Sequence, residues 1–364
     1  MALAPDEFSA IKRIAVFRMG HIGDMVVTLP SFWTVRRVFP TARITLLAQL
    51  HQKGKLAQGV EVIPTGLVYD DVISYELGRN GVSFLESLKA IVRLRRQKFD
   101  LLVYLAADRT NRQLKRDQVF FWLCGVKKII GLEPRFSADP FPSGTPLPRV
   151  EQEADRLRGF LTADGLFWDA KVPELFDVGL SEDERAEAER FLSLRGLEKR
   201  TLVSIGAGGK LPVNWWPIRH YQETVRLLDE AISPTFLLFG SSQESILCHE
   251  IAKVANSAIV LAGVSSIRES MALLERCAIH IGNDTATLHM AAAVSTPSIG
   301  IFTSKDWPGR WYPYGEGHET FRTPIACEGC LLDECSKPNK CIDQISPIQV
   351  ARSALKMLNR LKPR

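Results

Sequence analysis

The chain has 364 residues, a formal net charge of +5 and a hydrophobic fraction of 46%. That length suits two domains, each large enough to bury its own core. No apolar run reaches the ~20 residues a membrane span needs. The start, Met1-Ala-Leu-Ala-Pro-Asp-Glu, lacks the basic region and apolar stretch of a secretory signal, so a cytoplasmic protein is expected.

Short apolar strands alternate with amphipathic helices through the first half. Strands are predicted over 14–17, 44–47, 71–74, 101–105 and 128–130, with helices over 25–38, 83–97 and 113–124. Arg18-Met19-Gly20-His21-Ile22-Gly23-Asp24 joins the first strand to the first helix. Its glycines permit a sharp turn and close approach of a ligand, but they do not form the G-x-G-x-x-G dinucleotide fingerprint. Asp24 thus stands at the carboxyl end of the first strand, where open α/β sheets bind ligands; capping the helix is its competing role. Positive charge concentrates in this half. Between residues 79 and 128 there are twelve Lys or Arg and four Asp or Glu. Arg93, Arg95, Arg96 and Lys98 precede one strand, and Arg109, Arg112, Lys115 and Arg116 follow it. Such a run is either a solvated helix face or a surface for an anionic acceptor or anionic lipid headgroups. Nucleic acid is not expected, because no aromatic-interleaved basic stripe or binding module is present.

A proline- and glycine-rich segment over 133–148 and a polar stretch over 169–184 mark a break, placed near Gly179. The segment 152–163 is expected to pack on the first domain. The alternation then restarts, with strands over 202–205, 235–239, 258–261, 278–281 and 298–302 and helices over 218–231, 244–254, 267–276 and 285–294. A last amphipathic helix carries Ile348, Leu355 and Leu358 on one side. Two such runs imply two doubly wound α/β domains, over 1–178 and 179–345, followed by a C-terminal helix within 346–364.

The second half holds its own chemistry. Ile281-Gly282-Asn283-Asp284-Thr285-Ala286-Thr287-Leu288-His289 reads as strand, tight turn and helix start. Asp284 or Thr285 can cap that helix, and its amides and dipole suit an anion, a diphosphate above all; an ordinary capped helix is the alternative. Lys210 follows Gly206-Ala207-Gly208-Gly209 at a strand end. Leu211 stands where a Walker A motif requires Ser or Thr, yet a lysine on a glycine turn can still neutralise phosphate. Cys327, Cys330, Cys335 and Cys341 fall within fifteen residues. Four thiolates at that density can close a tetrahedral structural site for Zn or Fe; a packed loop with free thiols is the alternative, and disulfides are not expected in a reducing compartment. Cys124, Cys248 and Cys277 lie in apolar segments and are expected in the core.

Five short motifs stand in order: Met19 to Asp24 with Thr28-Leu29-Pro30, Gly206 to Lys210 with Trp216-Pro217, Leu261-Ala262-Gly263, Asp284-Thr285 with His289, and the cysteine series. In this order and spacing the chain resembles glycosyltransferase family 9, the heptosyltransferases of lipopolysaccharide core assembly, from about residue 13 to about residue 350. The resemblance implies a GT-B type enzyme: two doubly wound Rossmann-like domains with a cleft between them, the N-terminal one for the acceptor, the C-terminal one for a nucleoside-diphosphate sugar, and the last helix returning toward the first. It implies inverting transfer, with heptose from ADP-heptose as the expected donor and an anionic glycolipid of the lipopolysaccharide core as acceptor, with peripheral contact at the cytoplasmic membrane face. Asp24 is then the catalytic base. Lys210, Thr285, Ala286, Thr287 and His289 would bind the donor, with Glu244 at the ribose and Asp284 holding the turn. Gly20, His21, Gly23, Arg109 and Arg112 would meet the acceptor. No D-x-D motif occurs, so no catalytic metal is expected. The chain departs from the family pattern at Asn214, where a basic residue commonly precedes the Trp-Pro pair, and at Ala286, where glycine is usual. Three alternatives remain: the same chemistry on a protein or another surface glycan, a nucleotide-sugar-binding protein without transfer activity, and a nicotinamide oxidoreductase, which the missing fingerprint disfavours.

Overall fold

A computed structural model describes residues 5–50, 59–76, 84–106, 109–132, 146–337 and 340–361. The linker expected over 133–148 lies mostly outside these residues, as does Arg79. The chain forms two compact units, one drawn from Met1–Pro140 and Glu153–Gly179, the other from Phe141–Gln152 and Leu180–Arg364.

In the first unit the elements run β1 (Arg13–Arg18), α1 (Ile22–Val38), β2 (Arg43–Leu50), β3 (Asp71–Glu76), α2 (Phe84–Gln97), β4 (Leu101–Tyr104), α3 (Asn111–Leu123), β5 (Ile129–Ile130), α4 (Glu153–Ala163) and α5 (Val172–Leu175). The strands pair in parallel in the order β3-β2-β1-β4-β5. Ile14, Ala15, Val16, Leu101, Leu102 and Val103 are all fully buried. These strands are apolar without alternation because a parallel sheet is covered on both faces. Helix α4 packs on α1.

The second unit continues with α6 (Glu182–Ser193), β6 (Leu202–Gly206), α7 (Ile218–Ile232), β7 (Thr235–Leu238), α8 (Ser245–Ala252), β8 (Ala258–Val260), α9 (Ile267–Glu275), β9 (Ile279–Asn283), α10 (Ala286–Ala293), β10 (Ser298–Phe302), β11 (Glu319–Arg322) and α11 (Pro347–Leu361). Its parallel sheet has the order β11-β10-β9-β6-β7-β8. Strand β11 and helix α6 are additions to the elements expected from the sequence. Helix α11 packs on α7, β9 and β10. Its buried face is Val350, Ala351, Ala354, Met357 and Leu358, whereas Ile348, expected on that face, is 47% exposed. Among the described residues no helix is long and apolar enough to cross a membrane.

Strand order fixes where ligands can bind. In each sheet the winding direction reverses once, between β1 and β4 and between β6 and β9. Loops leaving the carboxyl ends of such a pair diverge to opposite faces and open a crevice. The described loop residues concerned are 19–21, 105–106 and 109–110 in one unit, and 207–217 and 284–285 in the other. Both glycine turns singled out in the sequence stand at these switch points.

One buried titratable group sits in the middle of the second sheet. His280 on β9 is paired in register with Ser204 on β6, and its Nδ1 lies 3.0 Å from the Ser204 hydroxyl. Burial pushes the imidazole down to about 3, with nearby His318 adding to the effect. The folded state therefore refuses a proton that the unfolded chain accepts below about 6.5. Stability from this group is present above that value and is lost as pH falls toward about 3. One such proton corresponds to about 1.4 kcal/mol per pH unit in that window. Urea unfolding of the native chain and of His280→Asn across this range should give a shallower acid dependence for the variant, by about one proton. Equal slopes would mean that His280 is protonated in the folded protein.

Candidate functional site

The first turn is built around one buried arginine. Arg18, the last residue of β1, has a fully buried side chain. Its Nη1 donates to Leu105 O (2.7 Å), tying the loop after β4 to the loop after β1. Its Nη2 donates to Asp24 O and to Asp24 Oδ1, both at 3.1 Å. Asp24 Oδ2 accepts from the His21 amide (2.8 Å). Asp24 is therefore the third residue of α1 and closes its N-terminus, a favourable place for a carboxylate. Gly20 has φ +140°, and a Cβ there would lie 2.5 Å from Asp24 Cγ, so the turn requires glycine. The cap and the arginine each occupy one acceptor position of Asp24. A carboxylate offers about four, and the side chain remains 24% exposed, so it can accept a further hydrogen bond. Arg109 joins this turn: its Nη2 approaches Met19 Sδ (2.8 Å) and its Nε lies 3.5 Å from Asp117. Gly23 is half-buried, and Arg112 is exposed at the start of α3.

The second turn is organised by Asn283, a fully buried side chain at the end of β9. Its Nδ2 donates to Ala207 O and to Gly208 O (3.3 Å). Its Oδ1 accepts from the Tyr221 hydroxyl (2.8 Å) and from the Trp216 amide (3.2 Å). Burial raises the Tyr221 phenol well above its ordinary value, which keeps it a donor. Trp215 Nε1 donates to the next carbonyl, Gly209 O (2.8 Å). Three successive carbonyls of the glycine turn are thus held by side chains. Asn214, where the family commonly has a cation, is buried and bonded to Thr303 Oγ1 (3.3 Å) and Asp284 O (3.4 Å).

The expected donor residues gather around this turn. A Cβ on Gly206 would meet Thr287 Oγ1, one on Gly208 would meet Glu244 Oε1, and one on Gly209 would come 2.5 Å from Thr285 Cγ2. Thr285 and Thr287 hydroxyls are 3.1 Å apart at the start of α10. Thr285, one of the two candidate caps, is the N-cap residue but makes no capping bond with its side chain. Its hydroxyl turns to Thr287 instead, so the N–H groups of the first turn are not taken by it. Ala286 is the first helical residue. His289 is buried, with Nε2 3.6 Å from Asp284 Oδ1, which places it behind the turn. Glu244 Oε2 accepts from the Ser241 amide (2.6 Å). Lys210 is exposed directly after the glycines. Asn283 is the residue that sequence reasoning left without a role.

The cysteine series does not form the expected four-thiol site. Among the described residues, no three His, Cys, Asp or Glu side chains are arranged to hold a metal ion. Cys341 Sγ accepts from the Ser304 amide (3.2 Å). A hydrogen bond with Cys327 raises Lys337 above its ordinary value, with smaller contributions from Cys335 and Cys330.

Replacing Gly208 with Ala should leave the unfolding midpoint close to native, because the intruding methyl meets the mobile end of Glu244. Displacing that carboxylate should weaken binding of a nucleoside diphosphate by roughly tenfold, the scale of one lost charged hydrogen bond. Calorimetric titration checks this, and unchanged affinity would remove Glu244 from the site.

The chain's residues 148–341 match the model of glycosyltransferase family 9 (heptosyltransferase). Lipopolysaccharide heptosyltransferase 2 of Escherichia coli (strain K12) is 23% identical over 314 residues, covering 80% of this chain and 82% of that protein. Lipooligosaccharide heptosyltransferase 2 of Haemophilus ducreyi is 27% identical over 302 residues, covering 78% and 81%. Among solved structures, the family 9 glycosyl transferase from Veillonella parvula superposes with a TM-score of 0.76 at 20% identity, over 99% of this chain and 100% of that one. The Escherichia coli ADP-heptose lps heptosyltransferase II superposes with a TM-score of 0.66 at 18% identity, over 96% and 100%. The two parallel sheets share the fold of these enzymes, and the chain belongs to glycosyltransferase family 9: it is a glycosyltransferase.

Proposed function

We propose that this chain moves heptose from ADP-heptose to a lipopolysaccharide-core acceptor, with inversion at the anomeric carbon. The observation that carries the reading is the switch point of the second unit. There, three glycines of one turn seat against Glu244, Thr285 and Thr287 beside a helix N-terminus. A turn held by its carbonyls and bordered by hydroxyls and helix amides is suited to a diphosphate. The similar proteins are heptosyltransferases, and one solved relative is an ADP-heptose enzyme, which supports the donor and the acceptor class.

In this reading the α10 N-terminus, with the Ala286 and Thr287 amides and the Thr285 and Thr287 hydroxyls, takes the diphosphate. Lys210 neutralises the charge that grows on it as the sugar leaves. Glu244 accepts hydrogen bonds from the ribose diol, and Asp284 with His289 keeps the turn in place. Gly20, His21 and Gly23 border the acceptor hydroxyl, while Arg109 and Arg112 attract its acidic groups. The acceptor oxygen bonds to the anomeric carbon as the bond from that carbon to the β-phosphate oxygen breaks. Asp24 takes the hydroxyl proton, and ADP departs. A carboxylate is a weak base, so proton transfer accompanies attack instead of preceding it. The acceptor is reached at the cytoplasmic face of a membrane.

Purified chain incubated with ADP-heptose and heptose-free core acceptor should add heptose, read by mass spectrometry. Asp24→Asn should lower turnover by about 10²–10⁴, the scale of a lost general base, while ADP affinity stays near native. Near-native turnover in that variant would remove Asp24 from the chemistry, and transfer from a different nucleotide sugar alone would overturn the donor.

A further inference from the structure

Asp117 on α3 is a carboxylate that no step of the transfer uses. Its side chain is only 11% exposed, and a buried carboxylate is unfavourable unless it is well partnered. Its partners come from β4, from α3 itself and from the loop before α3. The Tyr104 hydroxyl, at the end of β4, donates to Asp117 Oδ2 (2.6 Å). Burial pushes the Tyr104 phenol up, and the bond to Asp117 adds to the shift, so Tyr104 remains a donor. Arg116 donates to Asp117 Oδ1 from Nε (2.9 Å) and from Nη2 (2.7 Å). Arg109 Nε lies 3.5 Å from Asp117 Oδ2, and the Arg109 side chain is 17% exposed. The far end of that guanidinium, Nη2, meets Met19 Sδ (2.8 Å), next to Gly20 in the turn that leads to Asp24. Tyr104 in turn precedes Leu105, whose carbonyl is held by Arg18. Both arginines therefore brace the same turn, one from beneath it and one from the loop after β4.

We infer that Asp117 is a positioning residue for the acceptor: with Tyr104 it fixes the Arg109 guanidinium beside the Asp24 turn, where Arg109 takes an oxyanion of the acceptor. Asp117 itself does not touch the acceptor. The inference rests on the proposed acceptor role of the first unit, but not on which sugar is moved. A long side chain on a loop has many rotamers, and ordering it only at the moment of binding weakens affinity. A guanidinium held at Nε by a carboxylate and at Nη2 by Met19 has less freedom to lose, and its planar fork matches a carboxylate or a phosphate. Two guanidinium groups face one carboxylate here, so the brace leaves the cluster with a net positive charge for the incoming anion. Were Asp117 only a tie between α3 and β4, its loss would lower stability without discriminating between acceptors.

Calorimetry on the full chain, without donor, reads binding of heptose-free core acceptor. Asp117→Asn should weaken it at least about tenfold and leave ADP affinity unchanged. Arg109→Gln should weaken it by a similar factor, and the double variant no further than Arg109→Gln alone, because the two residues act as one. Tyr104→Phe keeps every charge and should weaken acceptor binding at least about threefold; if circular dichroism shows that Asp117→Asn does not fold, this variant decides. Acceptor with its carboxylates reduced to alcohols, or with its phosphates removed, shows which oxyanion Arg109 takes. The native chain should lose about tenfold in affinity for one of the two, and Asp117→Asn should bind that stripped acceptor as well as the intact one. Native binding that is the same for intact and both stripped acceptors overturns the inference. So do additive losses in the double variant, equal losses of ADP and acceptor affinity, or native acceptor affinity in Tyr104→Phe and Asp117→Asn. Transfer of a sugar other than heptose would overturn the donor reading alone, whereas a native chain that binds no core acceptor overturns both.

Discussion

The second unit depends on one buried amide. Asn283 uses both protons and its carbonyl oxygen, each on a different part of the chain: the glycine turn after β6, the Trp216 backbone and the Tyr221 hydroxyl on α7. No other side chain has donors and acceptor in this arrangement at this size. Because the carbonyls of Ala207 and Gly208 point inward to Asn283, the turn keeps one conformation beside the start of α10. A buried polar network of this kind is costly unless complete, and this one is complete at Asn283.

The first unit reaches the same end with a charge. Arg18 is buried and bonds Leu105 O and both oxygen types of Asp24, so the loops leaving β1 and β4 are locked together at their switch point. A buried guanidinium is unfavourable unless paired, and Asp24 is its ionic partner here. The carboxylate thereby serves two roles at once: it closes the start of α1 and keeps a fixed orientation with lone pairs to spare. In both units, side chains from the strand ends hold a glycine turn, and at Gly20 the positive φ and the Asp24 side chain admit no larger residue.

Much of this was legible in the sequence because it is local. Alternating apolar runs revealed the parallel sheets, and each glycine turn followed a strand and preceded a helix, which set both at strand carboxyl ends. The closeness of Glu244, Thr285 and Thr287 to the glycine turn was not local, since it depends on β6 pairing with β7 on one side and β9 on the other. The work of Asn283 was hidden for the same reason: its partners lie 62 to 76 residues away. Helix α6 was missed although Ser181 and Glu184 form a reciprocal cap that the sequence spells out; its polar composition read as a linker. The cysteine spacing suggested a metal site, but spacing does not fix where thiols point, and among the described residues no three potential ligands come together to hold an ion. The burial of Asp117 was equally invisible, because either face of α3 could have been the buried one.

Titration calorimetry on Asn283→Asp is the most direct test of how the second turn is held. The substitution keeps size and shape and retains acceptors for Tyr221 and Trp216, but it turns an oxygen toward the Ala207 and Gly208 carbonyls. We expect the folded variant to bind ADP at least about tenfold more weakly than the native chain, the equivalent of about 1.4 kcal/mol, while adenosine affinity changes less. A folded variant that binds ADP as tightly as the native chain would show that the glycine turn does not form the diphosphate site.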